Sequence, residues 1–372
     1  MAGKKHSGAW PYDKLFKNND RDIAERSEPV LDSVIETIQG LVASSLNIAP
    51  DRIEILPLPG DASDRRFFRA RIPGGETRVV MKLGSDLPCP KDPDKLPYIN
   101  ILNHLTLCKA AVPSLYLYDP DRGILILEDL GEMTLKDHIR RFGLPASIAL
   151  YRKAIQELLT LQIIGTRKAC GHCMAFHLAF DVEKLMWELD FFLKHTVEGH
   201  LGRDITPPNR MEIRKTFENL CSTIAEEPRY FTHRDYHSRN LMVRDGKIGI
   251  VDFQDARLGP LQYDLCSLLR DSYVVLPEEL VDELIAAYIA ERDRMEGTQT
   301  DAGRFRRIFD LTSVQRNLKA AGTFGFMSGT KGKNQYLKYL PGTFAYVSRN
   351  LRKYPELEAL RSALGRILPE IL

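Results

Sequence analysis

The sequence predicts an α+β fold of two lobes, a small antiparallel-sheet N-terminal lobe followed by a large helical C-terminal lobe. Three observations carry this reading. Short β-branched and aromatic runs, separated by Pro/Gly turns, crowd the first third of the chain. Apolar residues at helical spacing dominate from Thr134 onward. The segment Glu128–Gly131 interrupts the pattern between the two and reads as a hinge.

Residues 1–29 form a polar arm with an aromatic island at Trp10, Tyr12 and Phe16. Residues 30–46 space their apolar side chains as an amphipathic helix. Strands are expected over Ile53–Leu58, Arg66–Ile72 and Thr77–Leu83, with turns at Pro59-Gly60-Asp61 and Pro73-Gly74-Gly75. A helix over Tyr98–Ala110 and strands over Ser114–Tyr118 and Ile124–Leu127 complete an N-lobe of 30–130. The C-lobe, 131–372, is read as helices over 134–142, 146–164, 181–196, 208–226, 262–272, 277–294, 303–321 and 335–352. One strand pair, Leu241–Val243 and Ile248–Val251, is expected around the turn Asp245-Gly246. The cleft between the lobes is the expected ligand site.

Composition excludes several classes. The 372 residues carry 52 Lys+Arg against 50 Asp+Glu, a net charge of +2, which gives no argument for nucleic acid. The six cysteines, at 89, 108, 170, 173, 221 and 266, form no disulfide framework. No apolar signal region opens the chain and no apolar run has membrane-spanning length, so the expected location is the cytoplasm, away from the membrane.

The chemistry concentrates in residues 233–264. His233-Arg234-Asp235-Tyr236-His237-Ser238-Arg239-Asn240 fits the H-R-D-x-x-x-x-N loop that serves phosphoryl transfer. Asp235 is positioned to orient an acceptor hydroxyl and take its proton. Asn240 and Asp252, the latter at the end of the apolar strand Ile248–Val251, are candidate Mg²⁺ ligands. The usual D-F-G reads Asp252-Phe253-Gln254, which argues against a flipping segment. Lys82, closing a β-branched strand, matches a lysine that reaches the α- and β-phosphates of ATP. Gly60, Ala62 and Ser63 permit close backbone approach to phosphate, and the backbone of Glu128 and Leu130 is expected to bind adenine. A helix glutamate usually pairs with such a lysine, yet none occurs between Thr77 and Leu127.

These residues resemble the aminoglycoside phosphotransferase and choline kinase group, the small-molecule branch of the protein-kinase-like fold. The resemblance spans about 50–350 and implies ATP and Mg²⁺ as cofactors, with a small-molecule hydroxyl as acceptor. It implies that Asp264 ties its helix to the catalytic loop. Gly60–Phe68, Leu127–Gly131, Val251–Ala256 and Gln315–Lys319 are similar to bacterial anomeric sugar kinases, which phosphorylate the C1 hydroxyl of N-acetylmuramate or N-acetylglucosamine in cell-wall recycling. Asp255, Glu188 and Arg316 are the candidate acceptor contacts. Aminoglycoside, choline or homoserine acceptors stay open, as does a nucleotide-binding regulator without catalysis.

Other signals have plainer explanations. Cys170-Gly171-His172-Cys173 with His177 is too close-spaced to wrap one ion and has no second pair at zinc-finger spacing. Phe176, Phe180, Leu185, Leu189 and Phe191–Leu193 read as core. Lys331-Gly332-Lys333 reads as an exposed connection.

Overall fold

The computed structural model describes residues 28–59, 65–84 and 89–372. Most of the expected arm, and Gly60, Ala62 and Ser63, therefore lie outside the described residues. The chain divides into two units. The first comprises the described residues up to Pro93 together with Ser114–Asp129; the second comprises Asp94–Pro113 and Leu130–Leu372.

In the first unit, helix α1 (Glu28–Leu46) precedes strands β1 (Glu54–Pro57), β2 (Arg66–Arg71), β3 (Thr77–Lys82), β4 (Leu115–Asp119) and β5 (Ile124–Glu128). They form one antiparallel sheet in the order β1-β2-β3-β5-β4. Side chains alternate across a strand. Phe68 and Ala70 of β2 accordingly join Ile38, Val42 and Ala43 of α1, with Val80 and Ile126, in a single core. Arg69 takes the other face. It pairs bidentately with Asp129, Nε to Oδ2 at 2.6 Å and Nη2 to Oδ1 at 3.1 Å. Both residues are buried. Register brings them together, because Arg69 lies opposite Val79 and Val79 opposite Leu127, two residues before Asp129.

The second unit contains α2 (Pro97–Leu107), which the sequence reading grouped with the N-lobe. Polar hooks explain its place. Asn100 donates to His172 O (2.9 Å) and accepts from Met174 N (2.7 Å), while the His104 ring lies 3.1 Å from Gly165 O. Downstream of α2, Ala111 O accepts from Ile250 N at 2.7 Å. The chain continues through β6 (Met133–Thr134), α3 (Leu135–Phe142), α4 (Ile148–Leu159), α5 (Gly165–Arg167), α6 (Val182–Phe192) and α7 (Pro207–Ala225). Strands β7 (Arg229–Thr232), β8 (Leu241–Arg244), β9 (Lys247–Ile250) and β10 (Arg257–Pro260) follow. They assemble as β6-β8-β9 and β7-β10. The remainder is α8 (Leu261–Leu269), α9 (Glu278–Glu296), α10 (Ala302–Gly329), α11 (Leu340–Lys353) and α12 (Glu358–Gly365).

Two departures from the expected helices matter for the site. Helix α8 ends at Leu269 rather than 272, which releases Asp271 to bond elsewhere. Helix α10, at 28 residues, outruns its expected end and crosses the α6 segment very closely. A Cβ on Gly325 would overlap His195 O, and one on Gly322 would lie 2.8 Å from Phe192 Cα. Only glycine allows that approach, and the approach fixes the depth at which Lys319 of α10 enters the unit. Among the described residues, no helix is long and apolar enough to cross a membrane.

Removing one member of a buried ion pair leaves the other charge uncompensated, at a cost of roughly 3–5 kcal/mol. Arg69→Leu should lower unfolding stability by about that amount in urea titration. The double variant Arg69→Leu/Asp129→Leu should recover most of the loss. A double variant as unstable as the single would show that the pair is not the origin.

Candidate active site

The 233–240 loop is positioned by its own neighbours in sequence and by one helix. Strand β7 delivers the chain to His233, and β8 takes it away after Asn240. Buried Asp264 of α8 accepts from the amides of His233 (2.6 Å) and Arg234 (2.9 Å). Asp271, just past the end of α8, accepts from Ser238 N (2.9 Å), Ser238 Oγ (2.5 Å) and Tyr273 N (2.8 Å). Tyr236 Oη donates to Ala154 O at 2.7 Å. The loop is thus held at its start, middle and end. Burial pushes the Asp264 carboxyl up to about 7, against the two amides that favour its ionised form.

His233 links the loop to the strand that carries Asp252. Its Nδ1 accepts from Asp235 N (3.3 Å), so Nε2 carries the proton and donates to Val251 O (3.0 Å). Burial holds this imidazole neutral, outweighing the nearby carboxylates of Asp252 and Asp235. Two non-glycine residues adopt left-handed backbone here, Arg234 (φ 83°) and Asp252 (φ 67°). Each such conformation costs on the order of 1–3 kcal/mol and persists only where surroundings over-determine it. The carboxylate and imidazole bonds just described do so.

Asp235 carries the densest electrostatics. Lys319 Nζ sits 2.6 Å from its Oδ1, and Arg234 Nε is 4.0 Å from its Oδ2. Burial alone would raise the carboxyl. Lys319, Arg234 and His237 overcome burial and hold it well below the usual carboxylate range. Asn240 Nδ2 donates to Asp235 O (3.0 Å) and to Asp252 Oδ2 (3.3 Å), while Gln254 Nε2 donates to Asp252 Oδ1 (2.9 Å). These bonds put the Asn240 amide beside the Asp252 carboxylate and leave the amide oxygen for a ligand. Paired hard oxygen donors of this kind fit Mg²⁺, which takes few protein ligands and completes its shell with phosphate and water. The residues therefore fit the ion that the sequence implies.

The candidate acceptor residues divide. Asp255 pairs with Arg234 (3.3 Å). Glu188, buried on α6, has Oε1 at 3.8 Å from both Arg234 and Lys184, and Oε2 near Gln315 Nε2 (3.2 Å) and Tyr263 Oη (3.3 Å). Burial opposes its ionisation, but Lys319, Lys184 and Arg234 keep its pKa below the ordinary value. Both acids therefore belong to the Asp235 cluster. Arg316 instead points into the core, where Nε bonds Ser267 Oγ. Lys319, Asp271 and Lys184 were not singled out from sequence. Lys319 stood inside the quoted Gln315–Lys319 run, and Asp271 stands seven residues after Asp264.

In the first unit, Lys82 Nζ donates to Leu83 O (3.3 Å), and Leu83 N to Gly123 O (2.9 Å). A Cβ on Gly123 would approach Lys82 Nζ to 3.7 Å and Cys89 Sγ to 2.8 Å, so this turn is shaped to the lysine's surroundings. Among the described residues, the Lys82 ammonium is hydrogen-bonded by this carbonyl and not by a glutamate. Glu128 accepts from Ser114 N (3.1 Å) and Ser114 Oγ (2.9 Å), which fixes the end of β5. In the second unit, Leu130 packs against Gly249. Of the possible metal donors, Cys170 is exposed, Cys173 is buried, and the His177 ring bonds Gly171 O.

A five-stranded antiparallel sheet joined in one chain to a helical unit with this loop and strand-end carboxylate defines a protein-kinase-like phosphoryl-transfer enzyme. The comparisons agree. The model of the phosphotransferase enzyme family matches residues 54–298, and the chain belongs to that family. An N-acetylmuramate/N-acetylglucosamine kinase of Neisseria meningitidis serogroup B is 34% identical over 83% of this chain and 89% of its own. Its namesake from Pseudomonas aeruginosa is 31% identical over 84% and 88%. An ADP-bound aminoglycoside phosphotransferase superposes with a TM-score of 0.57 over 87% of this chain and 98% of its own, at 16% identity, a likeness of fold.

Burial pushes the His237 imidazole down to about 3; Asp235 opposes this, and Arg316, Lys319 and Arg239 reinforce it. Its folded pKa lies below the unfolded value of about 6.5. Its stabilising contribution is therefore present above pH 6.5 and is lost as pH falls toward 3. The stability difference between the wild type and His237→Gln should change by about 1.4 kcal/mol per pH unit between pH 6 and 4. Parallel pH dependences in chemical denaturation would contradict this.

Proposed function

We propose that this chain is an ATP- and Mg²⁺-dependent kinase that transfers the γ-phosphoryl group to the anomeric hydroxyl of an N-acetylated amino sugar, in the cytoplasm. The supporting observation is the Lys319–Asp235 contact at 2.6 Å. A carboxylate held well below its usual range by an adjacent ammonium is a weak base. Such a base suits a hydroxyl that is itself acidic, and a hemiacetal hydroxyl is more acidic than an ordinary alcohol. The amino-sugar kinases among the relatives bear names that agree with this acceptor.

In this mechanism Asp235 receives the acceptor hydroxyl on Oδ2, the oxygen that Lys319 leaves free, and takes its proton there as the new P–O bond forms. Asn240 and Asp252 would hold Mg²⁺, which would supply charge neutralisation at the phosphates. Lys82 and the loop with Gly60, Ala62 and Ser63 bind the phosphates, and the backbone at Glu128 and Leu130 binds the adenine. Catalysis comes mainly from positioning and fixed charge.

An ADP-release screen with Mg²⁺ tests the reading across N-acetylated hexosamines, aminoglycosides and amino alcohols. Stimulation by the first class alone supports it. Stimulation only by the others, or nucleotide binding without any transfer, defeats it. Asp235→Asn and Asp252→Ala should each lower kcat by at least about 100-fold with the fold retained. Lys319→Met should move the acid limb of the kcat/KM profile to higher pH, because Asp235 loses the charge that keeps it ionised.

A further inference from the structure

The cations around Lys184 outnumber the carboxylates they pair with. Lys184 is coupled electrostatically to Glu188, Arg234, Arg257 and Lys319. With Asp235 and Asp255, this cluster has four cations and three carboxylates. Each carboxylate already has a partner, although Glu188 Oε1, which faces Lys184 and Arg234 at 3.8 Å, accepts no hydrogen bond among the described residues. Lys319 occupies Asp235, Arg234 occupies Asp255, and Gln315 and Tyr263 occupy one oxygen of Glu188.

The surplus falls on Lys184 and Arg257. Arg257 is buried, donates among the described residues to the carbonyl of Asp255 (3.4 Å), and lies over the Phe180 ring. Lys184 keeps 17% of its side-chain surface and stands 3.8 Å from Glu188, beyond hydrogen-bond reach. Its ammonium instead rests 3.9 Å from the centre of the Trp187 ring, whose residue is 45% exposed. Burial draws the Lys184 pKa down to about 8, despite the Glu188 charge.

The setting disfavours a cation further. Lys184 is the third residue of α6, where Asp181 caps its amide at 2.8 Å. The start of a helix carries partial positive charge and favours anions over lysine. A half-buried lysine at the positive end of a helix, beside a second buried cation and with no hydrogen-bonded acceptor among the described residues, is the arrangement of an anion site. Lys319, one of the coupled groups, meets the Asp235 carboxylate, whereas Asn240, a proposed Mg²⁺ ligand, meets its backbone carbonyl and carries the link on to Asp252. The anion therefore belongs to the acceptor rather than to the nucleotide.

We propose that Lys184, backed by Arg257, binds a carboxylate substituent of the acceptor and so sets a preference for acid-bearing amino sugars over neutral ones. This rests on the amino-sugar reading above and names the residues that discriminate within that class. N-Acetylmuramate carries such a carboxylate; N-acetylglucosamine does not. The carboxylate completes the charge balance of the cluster and gives the Lys184 ammonium a hydrogen-bonded acceptor.

The test compares three acceptors, N-acetylmuramate, its methyl ester and N-acetylglucosamine, with wild type, Lys184→Met and Lys184→Arg. Wild type should prefer the acid to its ester. Lys184→Met should lose about tenfold or more in kcat/KM on the acid, chiefly through KM, as expected for one charge-assisted hydrogen bond. Its loss on the ester and on N-acetylglucosamine should be several-fold smaller, and Lys184→Arg should restore part of the preference. Equal losses on all three acceptors would overturn the proposal and assign Lys184 to phosphate binding or to the fold. A wild type indifferent to esterification overturns it without any variant. Failure of wild type to phosphorylate any of the three defeats the amino-sugar reading itself.

Discussion

The site depends on two buried carboxylates delivered by one short helix. Asp264 and Asp271 lie at the start of α8 and just past its end. Between them they accept from the backbone at 233, 234 and 238, plus one hydroxyl. An acceptor-only group buried against amides cannot move without leaving those amides unsatisfied, at about 1–3 kcal/mol each. That constraint lets Arg234 keep its left-handed backbone and aims Asp235 toward α10. Helix α10 meets it because Gly322 and Gly325 let the two backbones approach closely enough for Lys319 to arrive.

Fixing Asp235 in this way has a chemical consequence. The cations that compensate its burial also lower its basicity. A site built so gains alignment and a constant charge, and it gives up the power to deprotonate a weakly acidic alcohol. In the proposed mechanism Lys319 is thus a positioning residue whose charge narrows the range of acceptors served. The Lys82 end solves a different problem. Its partner is a backbone carbonyl next to a glycine turn, so the first unit holds its lysine with no glutamate.

The local parts of this design were legible in the sequence. The loop pattern, the strand ending in Asp252 and the Asp264 tie are short-range features with fixed offsets, and the sheet followed from Pro/Gly punctuation. Long-range features were not. Asn100 and His104 assign α2 to the second unit through bonds to residues more than sixty positions away, which periodicity does not encode. Lys319 reaches Asp235 across 84 positions, and nothing in its spacing marks Lys184 as a neighbour of that cluster. The end of α8 was overrun because Asp271 leaves the helix for Ser238, a tertiary choice that helix propensity does not register. Arg316 illustrates the converse: its charge suggested a ligand, and its guanidinium bonds a core serine.

The account's central claim is that a weakly basic Asp235 serves an acidic hydroxyl, and the position of the transferred phosphate tests it most directly. Phosphorus NMR of the product formed from ATP and ¹³C-labelled N-acetylglucosamine reads that position through scalar coupling. The account predicts phosphorus coupled to C1 and its proton, with the reducing end lost. Phosphate on C6 or any other ordinary alcohol carbon would contradict it.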